Sequence, residues 1–315
     1  MLKLKRLTEI LTPVDFITIC FGLFLTGLNI TYHTRVETWY LLVAANVIGI
    51  AFIITVAHLK YKYGGFWDFI NKWYMIPLMF LTFKELYVMI KPIRQVDLDL
   101  WLIEIDRILF GFDVTVVLYD IANPVLTELL QISYGTFFFL PLILGVDLLV
   151  NKREEAFYFA AFSIVYGFFL SFYGYFLVPA VGPRFYLHDF HTINQELPGL
   201  FLTNFLRDMV NAGESLERGM LNPEFYVQRD VFPSGHTQMT LIVMYLAYKL
   251  KTKSRYFLIP NGILLVFSTV YLRYHYLIDV VAGLLFMIFT MWSGYKIYNA
   301  WKKAGGKNEF DYENY

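Results

Sequence analysis

His275 and Asp279 stand four residues apart, a spacing that places both side chains on one face of a helix. A carboxylate bonded to one ring nitrogen fixes the imidazole tautomer and leaves the other nitrogen basic and aimed. That suits a nucleophilic or general-base histidine, although the same pair also serves as a polar clamp between helices. In FPSGHTQ at 232–238, Ser234 and Gly235 sit where an apolar run begins. The first N–H groups of such a helix are unpaired and carry partial positive charge, so they form an anion site that Gly235 lets a ligand approach closely. Ser234 either adds a hydrogen bond to that anion or caps the helix, and His236 is placed to protonate a leaving oxygen. Arg184 in VGPRF (181–185) and Arg273 in YLRYHYLID (271–279) bring guanidinium forks that match phosphate; each could instead snorkel at a membrane boundary. Together they describe an oxyanion pocket with a nucleophile, its orienter and an acid. The reaction class is phosphoryl transfer.

The chain that must position these groups has 315 residues, 57% of them hydrophobic and 17% charged, against about 25% charged in ordinary globular proteins. Mean hydropathy is +0.51. Such a composition excludes a disordered chain, a collagenous fibre and a charged nucleic-acid binder. A net charge of +0 names no partner, and the single cysteine, Cys20, excludes an intramolecular disulfide and a thiolate metal site. Several stretches reach the roughly 20 apolar residues that a crossing helix needs. The fold class is all-α, a polytopic membrane helical bundle.

Eight spans are expected, at 14–32, 38–59, 70–90, 125–150, 156–179, 236–250, 257–273 and 276–298. The opening MLKLKRLTEILTPVDF has basic residues before an apolar run, as a signal peptide does, but no small-residue cleavage site follows and it reads as a retained first span. In the third span Lys84 and Glu85 either neutralise each other or face a wet cavity. Most of the 26 basic residues fall on one side of the spans: Lys3, Lys5, Arg6, Lys60, Lys62, Lys72, Lys152, Arg153, the 249–255 cluster, and Lys296 to Lys307. By the positive-inside rule both termini are cytoplasmic, which places the three clusters on the outer face of a plasma (inner) membrane. Isolated ionisable residues are costly at a membrane boundary, so convergence of the clusters is the economical arrangement.

The expected organisation is N-terminal transmembrane helices over 1–96, an interfacial amphipathic segment over 97–124, a catalytic membrane domain over 125–298 and a cytoplasmic tail over 299–315. The segment 97–113 sets Leu98, Trp101, Leu102, Ile105, Ile108 and Leu109 at helical spacing, with Asp99, Glu104, Asp106 and Arg107 elsewhere. The long loop 180–232 carries its own apolar patch, LPGLFLTNFLRDMV, and is expected to cover a site. His188, Asp189 and His191 lack a fourth ligand at sensible spacing and read as solvated loop. No acidic cluster resembles a magnesium or two-metal site, so neither metal nor cofactor is expected. Two rival readings use the same residues: an intramembrane serine protease pairing Ser234 with His275, and a non-catalytic transporter or scaffold with a retained site.

FPSGH at 232–236, followed 39 residues after His236 by His275 in HYLID, resembles the type 2 phosphatidic acid phosphatase superfamily of membrane phosphatases and phosphotransferases. The resemblance runs from about 125 to 298. DRILFGFD at 106–113, the Pro-Arg pair and RYHYLIDV are more similar to the inositol phosphorylceramide synthase (inositolphosphotransferase) branch. The resemblance implies a six-helix core and a metal-independent reaction on a phospholipid or polyprenyl (di)phosphate, with membrane lipids as partners and water or a lipid hydroxyl as acceptor. It makes His275 the nucleophile that becomes phosphohistidine, Asp279 its orienter and His236 the acid. Ser234, Gly235, Arg184 and Arg273 would hold phosphate oxygens. Two departures stand out. The family's first motif is Lys-x6-Arg-Pro, whereas here Arg184 follows its proline and Leu177 holds the lysine position; the third-motif arginine belongs six before the histidine, where this chain has Thr269.

Overall fold

The computed structural model describes residues 7–217 and 219–314; Lys3, Lys5 and Arg6 lie outside them. The described residues are helical, with no strand. The helices that matter below are α1 (Pro13–Thr31), α2 (Trp39–Tyr63), α3 (Phe66–Trp73), α4 (Met75–Ile93), α5 (Asp99–Phe110), α6 (Pro124–Gly135), α7 (Phe139–Val150), α8 (Glu154–Leu177), α9 (Thr203–Gly213), α10 (Gly235–Lys249), α11 (Arg255–Tyr271) and α12 (Leu277–Ala304).

All eight expected spans coincide with helices, but they are not all alike. Five are long and apolar enough to cross a membrane: α1, α2, the α3–α4 stretch, α8 and α12. The span expected at 125–150 is broken into α6 and α7, which meet at 55° and make a sixth if counted as one. Pro141 explains the break: it has no N–H for the carbonyl four residues back and its ring crowds that carbonyl, so the helix restarts just before it. The helices at 236–250 and 257–273 are shorter, 15 residues in α10 and 17 in α11. Much of α10 is buried against protein, Thr237 to Thr240 among it, so it tolerates polar residues that a lipid-facing span would not.

The chain divides into two compact units, one formed by Met1–Gln95, Lys152–Phe169 and Phe289–Tyr315, the other by Val96–Asn151 and Leu170–Ile288. In the first, Thr12 and Asp15 close a reciprocal cap on α1, with Pro13 at its first turn. Asp15 also accepts from Asn71 (3.1 Å) and the Tyr74 hydroxyl (2.6 Å). Glu85 is held by two asparagine amides, Asn29 at 2.9 Å and Asn46 at 2.7 Å. α12 continues to Ala304, and beyond it Phe310 is buried, stacked on Phe159 and bonded through both backbone groups to Asn299.

The second unit holds every candidate site residue. Its amphipathic helix forms as α5, but with its acids turned in: Asp99 and Asp106 are buried while Leu100, Trp101, Ile108 and Leu109 are exposed. Each acid has backbone to satisfy. Asp106 accepts from the amides of Leu277 (2.9 Å) and Ile278 (2.7 Å), the first residues of α12. Asp99 accepts from the amides of Val181 and Gly182 and from the Tyr276 hydroxyl. Burial raises both carboxyls above their ordinary range, with these hydrogen bonds opposing it. Close approach fixes the start of α10. A Cβ on Gly174 of α8 would strike the Pro233 ring, and one on Gly283 of α12 would meet the Ser234 carbonyl.

Asp106→Ala leaves two helix-start amides without their partner and is expected to destabilise the protein by about 1–2 kcal/mol, read as a lower melting temperature in detergent. Arg107→Ala, which removes only an exposed pair with Asp113, should melt close to wild type.

Candidate functional site

The turn between α11 and α12 and the start of α10 bring the two histidines together. The backbone N–H of Ser234 donates to the Asp279 carbonyl (3.0 Å), tying the cap of α10 to the first turn of α12. Arg273 to His275 are folded against the end of α11: Arg273 N donates to the Val270 carbonyl, and Tyr274 N and His275 N both donate to that of Thr269. The rings of His236 and His275 then lie 5.7 Å apart. His236 is packed by Tyr134 (4.6 Å) and Phe137 (4.3 Å), and Tyr134 in turn stacks on Tyr274 (4.4 Å).

Two acceptors flank Nδ1 of His275. The Val231 carbonyl is at 3.0 Å and Asp279 Oδ2 at 3.5 Å. A carbonyl only accepts, so Nδ1 carries the proton and Nε2 carries the lone pair. The carboxylate expected to set the tautomer is thus the more distant of two groups. Its Oδ2 accepts from the Tyr276 amide at 2.8 Å, while Oδ1 is buried with no hydrogen-bond partner among the described residues. Burial holds the His275 imidazole well below the ordinary histidine range; His236 and the charge of Arg184 press the same way, and the Val231 carbonyl opposes them.

Ser234 acts as the cap of α10, its Oγ accepting from Thr237 N at 3.2 Å. Gly235 has a packing reason of its own, since a Cβ there would collide with the Tyr175 hydroxyl. Arg184 follows Gly182, whose φ of +101° and closeness to the Tyr274 carbonyl require a glycine. Its guanidinium is buried, pairs with Glu214, bonds Asn211 Oδ1 at 3.1 Å and lies 4.5 Å over the Tyr274 ring. Burial works against that charge, but Glu214 and Tyr274 outweigh it and raise the Arg184 pKa. Nε of Arg184 has no hydrogen-bond partner among the described residues.

Arg273 is turned elsewhere. It pairs with Glu196 and lies 5.7 Å from the centre of the Tyr119 ring, in a residue whose φ is +67°. The structure therefore joins His236, His275, Asp279, Ser234, Gly235 and Arg184, and sets Arg273 to the loop. His188 is also structural, its Nε2 3.0 Å from Thr115 Oγ1.

The 180–232 loop builds a cavity of about 400 Å³ whose lining includes Arg184, Arg207, Asn194, Asn211 and Tyr274. Several residues here escape a reading of motifs. Arg207 lies in a patch that reads as apolar, and Glu128 inside an expected span. The Glu128 carboxylate accepts from the amides of Leu200, Leu202 and Thr203 and so caps α9. An acid within a membrane helix is itself a signal, because it needs partners.

The family model of the PAP2 superfamily matches residues 100–293. The chain belongs to the PAP2 superfamily. A PA-phosphatase related-family protein of Dictyostelium discoideum is 29% identical over 119 residues, covering 38% of this chain and 20% of that relative. The chain therefore matches about a fifth of the relative's length. No solved structure matches. PAP2 membership suggests phosphatase-type chemistry at a membrane, and the matched range includes every residue of the site.

The half-buried His188 sets a pH dependence of stability. Burial, then the charge of Arg273, lowers His188 to about 4 in the folded chain, against roughly 6.5 unfolded. Below pH 6.5 the unfolded chain takes up a proton that the folded one refuses, so stability is lost as pH falls from 6.5 toward 4. His188→Gln should flatten this slope in melting temperatures measured from pH 7.5 to 4.5.

Proposed function

We propose that this PAP2 protein transfers the phosphoryl group of a lipid phosphate through a phosphohistidine on His275, without a metal. The observation that carries the reading is the Val231 carbonyl 3.0 Å from Nδ1. It leaves Nε2 as an unprotonated nucleophile, with a second histidine beside it and a buried guanidinium close enough to depress its basicity.

Nε2 attacks phosphorus, forming the P–N bond as the bond to the leaving oxygen breaks. His236 gives that oxygen its proton. A bound phosphate dianion supplies the nearby negative charge that favours protonated His236, and general-acid help of this kind contributes about 10²–10⁴ in rate. Arg184 and the first amides of α10 stabilise the charge on the equatorial oxygens, which is most of what phosphoryl transfer requires. In the second half His236 takes a proton from water or a lipid hydroxyl, whose oxygen displaces Nε2. Water makes the protein a phosphatase; a lipid hydroxyl makes it a transferase. Asp279, 3.5 Å from Nδ1, stabilises the positive charge that the ring acquires.

The guanidinium that supports this reading is Arg184, since Arg273 would first have to leave Glu196. The loop cavity favours a substrate larger than a bare phosphate, a phospholipid or polyprenyl (di)phosphate. The inositol phosphorylceramide synthase branch remains the transferase form of the proposal, on DRILFGFD and RYHYLIDV. The asymmetry of lysines and arginines supports a site on the outer face of the plasma membrane. The serine-protease alternative has less support, because Ser234 Oγ is engaged as a helix cap.

The test supplies phosphorus-labelled phosphatidate, polyprenyl diphosphate and phosphatidylinositol to the purified protein in mixed micelles, with and without ceramide or diacylglycerol. Acid-labile label on the wild-type protein, absent from His275→Ala, is the expected result. Free labelled phosphate identifies a phosphatase, and label moved onto an acceptor lipid identifies a transferase. Asp279→Asn should stay well above His275→Ala in rate, because the Val231 carbonyl still fixes the tautomer. Equal turnover by wild type and His275→Ala on every substrate would sink the proposal.

A further inference from the structure

Among the described residues, Arg207 is a buried cation without a carboxylate counter-ion. It projects from α9, is 5% exposed, and lines the same loop cavity as Arg184. Its hydrogen-bond partners are neutral: Asn194 Oδ1 and the Leu197 carbonyl. Among the described residues no carboxylate pairs with it, in contrast to Arg184 with Glu214, Arg273 with Glu196 and Arg229 with Asp97. A guanidinium does not shed its proton, so burial without an anion is a standing cost that an anionic ligand removes. The cavity gives that ligand room, at about 400 Å³, and at the low end of the usual range for small-molecule sites.

The lining sharpens the chemistry. Arg184 and Arg207 occupy the oxygens of Asn211 and Asn194 respectively. Each amide still has its NH₂ group to donate, beside an oxygen that already serves a guanidinium. Arg184 Nε is a further buried donor with no hydrogen-bond partner among the described residues. The buried part of the lining thus offers positive charge and donors, with the Tyr274 hydroxyl able to donate or accept, while the acidic residues Asp208 and Glu217 are less buried than Arg207. A neutral polyol would leave the charge of Arg207 unbalanced, whereas an anion balances it.

The geometry points to Arg207 as a second anion-binding group, so that the preferred substrate carries another anionic group next to the phosphoryl group held at Arg184, as a diphosphate ester does. This rests on the phosphoryl-transfer reading only for the word substrate. Binding can be tested without turnover.

The first measurement is calorimetric binding of methylenediphosphonate and of inorganic phosphate to the full chain in nanodiscs. The diphosphonate should bind at least tenfold more tightly than phosphate, and Arg207→Gln should remove that advantage while Arg207→Lys keeps part of it. No preference in the wild type, or a preference that survives Arg207→Gln, overturns the inference. The second measurement compares kcat/KM for a polyprenyl diphosphate and the matching monophosphate. Arg207→Gln should lower the diphosphate-to-monophosphate ratio about tenfold, chiefly through KM. Equal losses on both substrates would mean that Arg207 merely braces α9 against the 193–197 turn, and would overturn the proposal. Free pyrophosphate in place of the lipid separates a soluble from a membrane-borne ligand. If His275→Ala turns over as fast as wild type, the phosphohistidine reading falls, and the diphosphonate binding still decides on Arg207.

Discussion

Every helix begins with backbone amides that have no partner inside it, and where water is scarce each must find one or cost free energy. The second unit of this protein is organised by the carboxylates and side-chain oxygens that meet that demand. Asp106 satisfies the start of α12, Glu128 the start of α9, and Ser234 the start of α10. Asp99 does the same for the non-helical amides of Val181 and Gly182 just before Arg184. One short helix, α5, thereby holds both the loop that carries Arg184 and the turn that carries His275. Its two acids are one turn-pair apart on a single inward face. The fold positions its candidate site residues by capping.

The same economy separates the cations. Arg184, Arg229 and Arg273 are buried with carboxylates, and such pairs contribute geometry more than net stability. Glu214 aims Arg184 beneath the loop, where its charge reaches His275. Glu196 draws Arg273 into the turn at 193–196, and Thr192 holds Glu196 in place. Two arginines that are equivalent as residue types therefore end in different roles, because different acids claim them. Neither acid belongs to a cluster that phosphate chemistry would single out.

How much of this was written in the sequence follows from the range of each interaction. The all-helical class, five of the spans and the pairing of FPSGH with HYLID were legible, because composition and short spacing are local. The PAP2 match over 100–293 agrees with that reading. The amphipathic pattern of 97–113 also gave a helix, but amphipathicity assigns acids to water, and Asp99 and Asp106 face partners 82 and 171 residues away. Arg207 and Glu128 were hidden in apolar stretches for the same reason. The break between α6 and α7 is carried by Pro141, a single residue that the length of the apolar run conceals. Gly235 was legible as a glycine that something must approach closely, yet the group its Cβ would strike is the Tyr175 hydroxyl, sixty residues back on α8.

His275 shows what a motif leaves out. A histidine four residues before an aspartate predicts a side-chain partner for Nδ1, and Asp279 is indeed at 3.5 Å. The nearer partner is a backbone carbonyl, Val231, from the segment just before the α10 cap. That carbonyl cannot change its protonation or be altered by a side-chain substitution, so the tautomer of His275 is tied to the path of the 231–234 backbone. That path is set in turn by Gly174 and Gly283, which let Pro233 and Ser234 close against α8 and α12. Asp279 is then not needed to fix that tautomer, and its Oδ2 serves the Tyr276 amide instead. The nearer contact to Nδ1 is thus given to the backbone and the more distant one to a side chain. The motif names only the second.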